Sequence, residues 1–124
     1  MTARGQGFPK RARLLKRADF DRVFARARRS VDDCFTVLAR GNDDGQARLG
    51  IAIARKHAAR ATQRNRVKRL VRERFRAEQQ QLAGLDLVVM GRRGIAERDN
   101  DELRSSLDRH WKRLIEQCRR SSSS

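Results

Sequence analysis

Acidic residues are scarce in this chain. Fifteen Asp and Glu stand against 31 Lys and Arg, a formal charge of +16 on 124 residues. A compact monomer so charged repels itself, and a polyanionic partner relieves the repulsion. Lysine is scarce too. Only Lys10, Lys16, Lys56, Lys68 and Lys112 are present, so arginine supplies most of the charge. Its planar fork grips phosphate at two points and stacks on bases. An arginine-rich genomic composition would give the same bias, but not the net charge.

Long apolar runs are missing. Nothing approaches the roughly 20 residues of a membrane span, which favours nucleic acid over a membrane as the polyanion. The segment Met1 to Pro9 lacks the apolar core of a signal peptide. Cys34 and Cys118 follow no metal or redox spacing and read as buried free thiols of a reducing cytoplasm. No repeat and no linker divides the chain, and its length suits one domain with a modest core.

Residues 1–12 are basic, carry Gly5, Gly7 and Pro9, and are expected to form a mobile arm. The domain then covers 13–119, and 120–124, ending in Ser121 to Ser124, forms a disordered tail. Phe20, Val23, Phe24 and Ala27 share one face of a short helix near 17–28. Residues 33–40 alternate as a strand, with Phe35, Val37 and Ala39 against Cys34, Thr36 and Leu38. Gly41-Asn42-Asp43-Asp44-Gly45 marks a turn. A second strand at 47–54 sets Leu49, Ile51 and Ile53 against the small residues Gly50, Ala52 and Ala54. Residues 55–63 form a basic loop, 64–81 a helix ended by Gly84, and 85–91 a more fully buried strand. Asp99 or Asn100 caps a last helix with Leu103, Leu107, Trp111, Leu114 and Cys118 on one face. This succession predicts a single α+β sandwich.

The basic helix is the most informative stretch. At about 100° per residue, Val67, Leu70, Val71 and Phe75 fall on one side. Asn65, Arg69, Arg72 and Arg76 fall opposite, with Lys68 and Arg66 flanking. Arg69, Arg72 and Arg76 lie one turn apart, a spacing close to that of phosphates along a nucleic-acid strand. Glu73 and Glu78 are the only acids over 64–81, so neutralising partners within the helix are few. A merely solvated basic face is the plainer alternative. Unpaired amides of the first turn suit a phosphate. Asn65 can contact a base, a 2′-hydroxyl or a metal-bound water.

The run Arg64-Asn65-Arg66-x-Lys68-Arg69-x-x-Arg72-Glu73 resembles the signature of the bacterial ribonuclease P protein component. The resemblance extends over about residues 11–115. It includes Arg13-Leu14, Asp19-Phe20 and Val23-Phe24, then Gly50 to Lys56, Leu85 to Val89, and Leu103 to Trp111. It implies the order α-β-β-β-α-β-α, with a short extra strand near Arg29-Ser30-Val31 that periodicity does not reveal. It also implies a left-handed βαβ crossover through the basic helix, against the common rule.

The same resemblance implies a function. The catalyst of this family is an RNA. The protein binds that RNA and the 5′ leader of precursor tRNA, and the complex removes the leader with magnesium held mainly by RNA and substrate. Arg64, Asn65, Arg66, Lys68, Arg69 and Arg72 would contact the catalytic RNA, with Asn65 near its magnesium. Phe20, Phe24, Leu38, Arg55 and Lys56 would meet the leader. Phe20 and Phe24 could stack on bases or simply pack the core. Some relatives carry an aromatic where this chain has Leu38, so apolar contact replaces stacking there. One protein per RNA, a cytoplasmic setting, no membrane and no activity of the protein alone are expected.

The remaining chemistry fits a non-catalytic subunit. Asp32-Asp33 and Asp43-Asp44 sit at a strand edge and a turn and read as solvated. His57 lies in the basic loop, a place for an RNA contact, whereas His110 beside Trp111 reads as structural. Three rivals have distinct signatures. A ribosomal protein of similar fold would co-purify with ribosomal RNA. A protein-only nuclease would need an acidic cluster, and a DNA regulator would need a helix-turn-helix partner for the basic helix.

Overall fold

The computed structural model describes Val23, residues 27–42 and residues 45–123, with side chains as far as Cys118. Strands β1 (Arg28–Val31), β2 (Phe35–Gly41) and β3 (Arg48–Ala52) come first. Helix α1 (Ala61–Ala77), strand β4 (Leu85–Gly91), a 3-10 turn (Ile95–Glu97) and helix α2 (Asn100–Ser123) follow. The expected order holds from β1 onward. The opening helix lies outside the described residues except for Val23, which is helical and fully buried. It cannot reach residue 28 as the periodicity suggested, because Arg28 already pairs with Ala39 in the sheet. The mobile arm expected at 1–12 is also outside the described residues.

The sheet order is β1-β2-β4-β3. β4 pairs antiparallel with β2 and parallel with β3, and α1 makes the connection between the two parallel strands. The turn after β2 therefore joins strands that are not neighbours, since β4 lies between them. That central place explains why Leu85 to Val89 are buried on both sides of the sheet.

One sheet face presents Phe35, Val37, Ala39, Leu49, Leu87 and Val89. Against it pack Val67, Leu70, Val71 and Phe75 of α1 and Leu103, Leu107, Trp111 and Leu114 of α2. Full burial of a large apolar side chain contributes about 1.5–3 kcal/mol. The other face holds Leu38 and Val88, buried together with Val23, with Ala27 and Met90 beside them. The sheet and the two helices on its first face make the predicted α+β sandwich.

Asp86 is a buried acid within β4. It accepts two hydrogen bonds of 2.8 Å from Arg48, its register partner on β3, and one of 2.7 Å from the Asn42 amide. This pairing offsets the cost of burying the charge.

Helix limits shift for local reasons. α1 starts three residues before the expected Arg64 because the Gln63 side chain accepts from the Arg60 amide at 3.2 Å, tying the first turn. It ends at Ala77, after which i to i+3 bonds carry the chain to Gly84, whose φ of 85° suits glycine. Asp99 caps α2 by accepting from the Glu102 amide at 2.8 Å. The backbone of α2 stays helical through Ser123, over residues for which a disordered tail was expected. Serine disfavours a helix only mildly, about 0.5 kcal/mol per residue.

Candidate nucleic-acid interface

The charged face of α1 is built by what its buried face does. Val67, Leu70, Val71 and Phe75 dock on the sheet, so the residues between them must face away. Asn65, Arg69 and Arg76 are exposed, and Arg64, Arg66, Lys68 and Arg72 are half-buried.

Glu73 and Asp108 are occupied on the other flank of α1. Arg74 forms a two-point bond to Asp108 at 3.0 and 3.2 Å. Glu73 accepts from Arg104 at 2.9 Å, and Arg104 also meets Asp101 at 3.4 Å. This seam of ion pairs joins α1 to α2. It consumes Glu73, one of only two acids over residues 64–81. Asn65, Lys68, Arg69 and Arg76 have no side-chain hydrogen-bond or ion-pair partner among the described residues. Three cations and an amide are thus available to an external ligand.

Two of the arginines are tied down. Arg64 donates to the carbonyls of Ala58 and Ala59 at 3.0 and 2.9 Å, bracing the loop before α1. Arg66 donates to Asn100 Oδ1 at 2.7 Å and to the Ala96 and Arg98 carbonyls at 3.1 Å each. Sequence periodicity places both in the cluster but gives no sign of these partners, which for Arg66 lie 30 or more residues away.

A divalent cation does not fit this surface as a protein-held ion. Asn65 is a single neutral oxygen ligand flanked by Arg64, Arg66, Lys68 and Arg69, whereas magnesium wants carboxylate or phosphate oxygens. Among the described residues no group of three or more His, Cys, Asp or Glu could hold a metal.

The expected leader-binding residues are only partly in view. Phe20 and Phe24 lie outside the described residues. Leu38 sits mid-β2 on the sheet face away from α1 and α2, 7% exposed against Val23 and Val88. Arg55 and Lys56 are exposed in the turn that follows β3. His57 is half-buried in that turn.

Comparison with known proteins places the chain in a family. A family model described as Ribonuclease P matches residues 8–115. The chain belongs to the ribonuclease P protein family. It is 49% identical over 113 residues to the ribonuclease P protein component of Thioalkalivibrio sulfidiphilus, covering 91% of this chain and 94% of the relative. Identity to the Nitrosococcus oceani protein component is 47% over 112 residues, covering 90% and 94%. The solved ribonuclease P protein of Thermotoga maritima superposes with a TM-score of 0.73 at 36% identity. That match covers 82% of this chain and 96% of the structure. The chain is accordingly of the class that forms the protein subunit of the ribonuclease P endoribonuclease.

Acids read as solvated from sequence need one correction. Asp32 is a hub, not a solvated strand-edge acid. Its Oδ1 accepts from the Cys34 and Phe35 amides, both at 2.9 Å, and its Oδ2 accepts from Ser106 at 2.6 Å. Burial would raise its carboxyl, but the bonds from Ser106, Phe35 and Cys34 outweigh that and hold it well below the usual range. The side chain thereby locks the β1–β2 turn to α2 and is taken up by structure in this ribonuclease P family chain. Burial raises the thiols of Cys34 and Cys118, which suits inert cysteines.

Proposed function

We propose that the exposed face of α1 binds the RNA subunit of ribonuclease P, and that a second surface holds the 5′ leader of precursor tRNA. The observation that carries this reading is the split of α1. Glu73 and Asp108 pair along the α2 seam while Asn65, Lys68 and Arg69 have no side-chain partner among the described residues. Arg64 and Arg72 complete the surface, and Arg66, bonded to the 96–100 segment, backs it. Phosphate contacts by such cations release counterions and supply most of the affinity.

Leader binding is assigned to Arg55 and Lys56, whose exposure supports phosphate contact, and to Phe20, Phe24 and Leu38. The burial of Leu38 beside Val23 favours an apolar contact over base stacking at that position. Cleavage belongs to the RNA, and the protein alone is inactive. Magnesium is held by RNA and substrate phosphates, and the Asn65 amide could hydrogen-bond a water on such an ion. A chain at +16 lowers the repulsion between two polyanions, so less magnesium is needed to bring them together. One protein serves one RNA, in the cytoplasm. No described helix is long and apolar enough to cross a membrane.

Sequencing the RNA that co-purifies with the tagged chain tests the choice of partner. Enrichment of the ribonuclease P RNA is expected. Enrichment of ribosomal RNA alone would instead favour a ribosome-bound role.

A further inference from the structure

Arg66 stands in the middle of the basic run, yet its guanidinium is turned inward. Its donor contacts run from the 3-10 turn to the first residue of α2: the Ala96 and Arg98 carbonyls at 3.1 Å and Asn100 Oδ1 at 2.7 Å. Ala96 belongs to the 3-10 turn and Arg98 follows it directly, so both carbonyls lie where helical bonding ends and acceptors go short of partners. A cation suits that position. The planar fork spreads these bonds over two nitrogens, Nη1 and Nη2, where an ammonium has only one.

The segment it grips is itself fixed. The Arg92 amide donates to Cys34 O at 3.0 Å and its guanidinium to Asp32 O at 2.7 Å. Ile95 is fully buried, and Asp99 caps α2. Arg66 therefore bolts the first turns of α1 to a rigid support. Asn65 precedes it and Arg69 lies one turn further on the same helix, both without side-chain partners among the described residues.

We propose that Arg66 is a positioning residue: it anchors α1 to the 96–100 segment so that Asn65, Lys68 and Arg69 face the catalytic RNA, and it does not itself neutralise a phosphate. The inference rests on the reading that α1 binds that RNA.

The test is equilibrium binding of the full chain to a bacterial ribonuclease P RNA across a monovalent salt series. Wild type, Arg66→Gln, Arg66→Lys, Asn100→Ala, the Arg66→Gln/Asn100→Ala double variant and Arg69→Ala are compared, with thermal melts confirming that each is folded at the binding temperature. Arg66→Gln and Asn100→Ala should each weaken binding by roughly threefold to tenfold, and the double variant no more than Arg66→Gln alone, because the two share one interaction. Both should keep the wild-type slope of log affinity against log salt, whereas Arg69→Ala loses up to about one unit. Arg66→Lys should not restore affinity, since an ammonium keeps the charge without the fork.

The proposal is overturned if Arg66→Gln flattens the slope as Arg69→Ala does. It is equally overturned if Arg66→Lys rescues, if Asn100→Ala binds like wild type, or if the weakening merely tracks the unfolded fraction. A wild-type chain that does not bind the RNA would instead sink the reading beneath it.

Discussion

Ser30 Oγ lies 2.7 Å from Nδ1 of His110, eighty residues further along the chain, and ties the edge strand β1 to α2. Arg113 donates to the same hydroxyl at 2.9 Å, and the Ser30 hydroxyl donates to His110 in the tautomer that turns the ring N–H toward the Asp32 carboxylate. The ring proton is then left on Nε2, 3.1 Å from Asp32 Oδ1 but off the hydrogen-bond line. Burial pushes His110 below its ordinary value, and the pull of Asp32 does not reverse this. The folded chain thus prefers neutral imidazole, and the unfolded chain takes up the proton first as pH falls. Stability should be complete above about pH 6.5 and decline below it. Asp32, held low in the fold, adds a further loss below about pH 4. Melting temperatures of wild type and His110→Gln from pH 8 to pH 5 check this. The wild-type melt should fall with acid and the variant's should fall less; a flat wild-type profile would be contrary.

Trp111 is the largest fully buried side chain, and its indole donates to Arg74 O at 3.2 Å. Trp111→Ala should lower stability by about 3–5 kcal/mol. Trp111→Phe should cost about 1 kcal/mol from the lost hydrogen bond, beyond any packing change. Urea denaturation would show a lower midpoint for both, with the larger shift for alanine.

Asp86→Ala removes the two-point carboxylate bound by Arg48, which is 18% exposed, and an acceptor of the Asn42 amide. A loss of about 3 kcal/mol is expected, the lower end for breaking a buried pair because some solvent reaches Arg48. The double variant Asp86→Leu/Arg48→Met should recover part of it. Chemical denaturation of the three proteins compares them directly.

Arg69 and Arg104 are both arginines on the helix layer, but only Arg104 is neutralised, by Glu73 and Asp101. Arg69→Ala should weaken binding to ribonuclease P RNA and flatten the salt slope by roughly one unit or less. Arg104→Ala should leave that slope unchanged. Equal slopes for Arg69→Ala and wild type would place Arg69 outside the phosphate contacts.

Much of this was readable from the chain because it is local. The spacing of Val67, Leu70, Val71 and Phe75 separates the faces of α1 without any tertiary knowledge, and the run Leu85 to Val89 marks a central strand. β1 escapes periodicity because only Ser30 of its four residues is buried, through a partner on α2. The insertion of β4 between β2 and β3 is equally silent, since a turn such as Gly41 to Gly45 serves neighbouring and separated strands alike. Within the proposed site, spacing alone puts all six basic-run residues on one helix. Which of them keep free donors cannot be read from spacing, because Arg66 is engaged by Asn100 and Ala96, and Arg64 by carbonyls of the preceding loop.

The most direct measurement is reconstitution of the purified chain with a bacterial ribonuclease P RNA and a precursor tRNA at limiting magnesium. The account predicts that adding the protein accelerates removal of the 5′ leader, that the protein without RNA cleaves nothing, and that Arg69→Ala accelerates less. Unchanged cleavage by the RNA in the presence of the folded protein would contradict it.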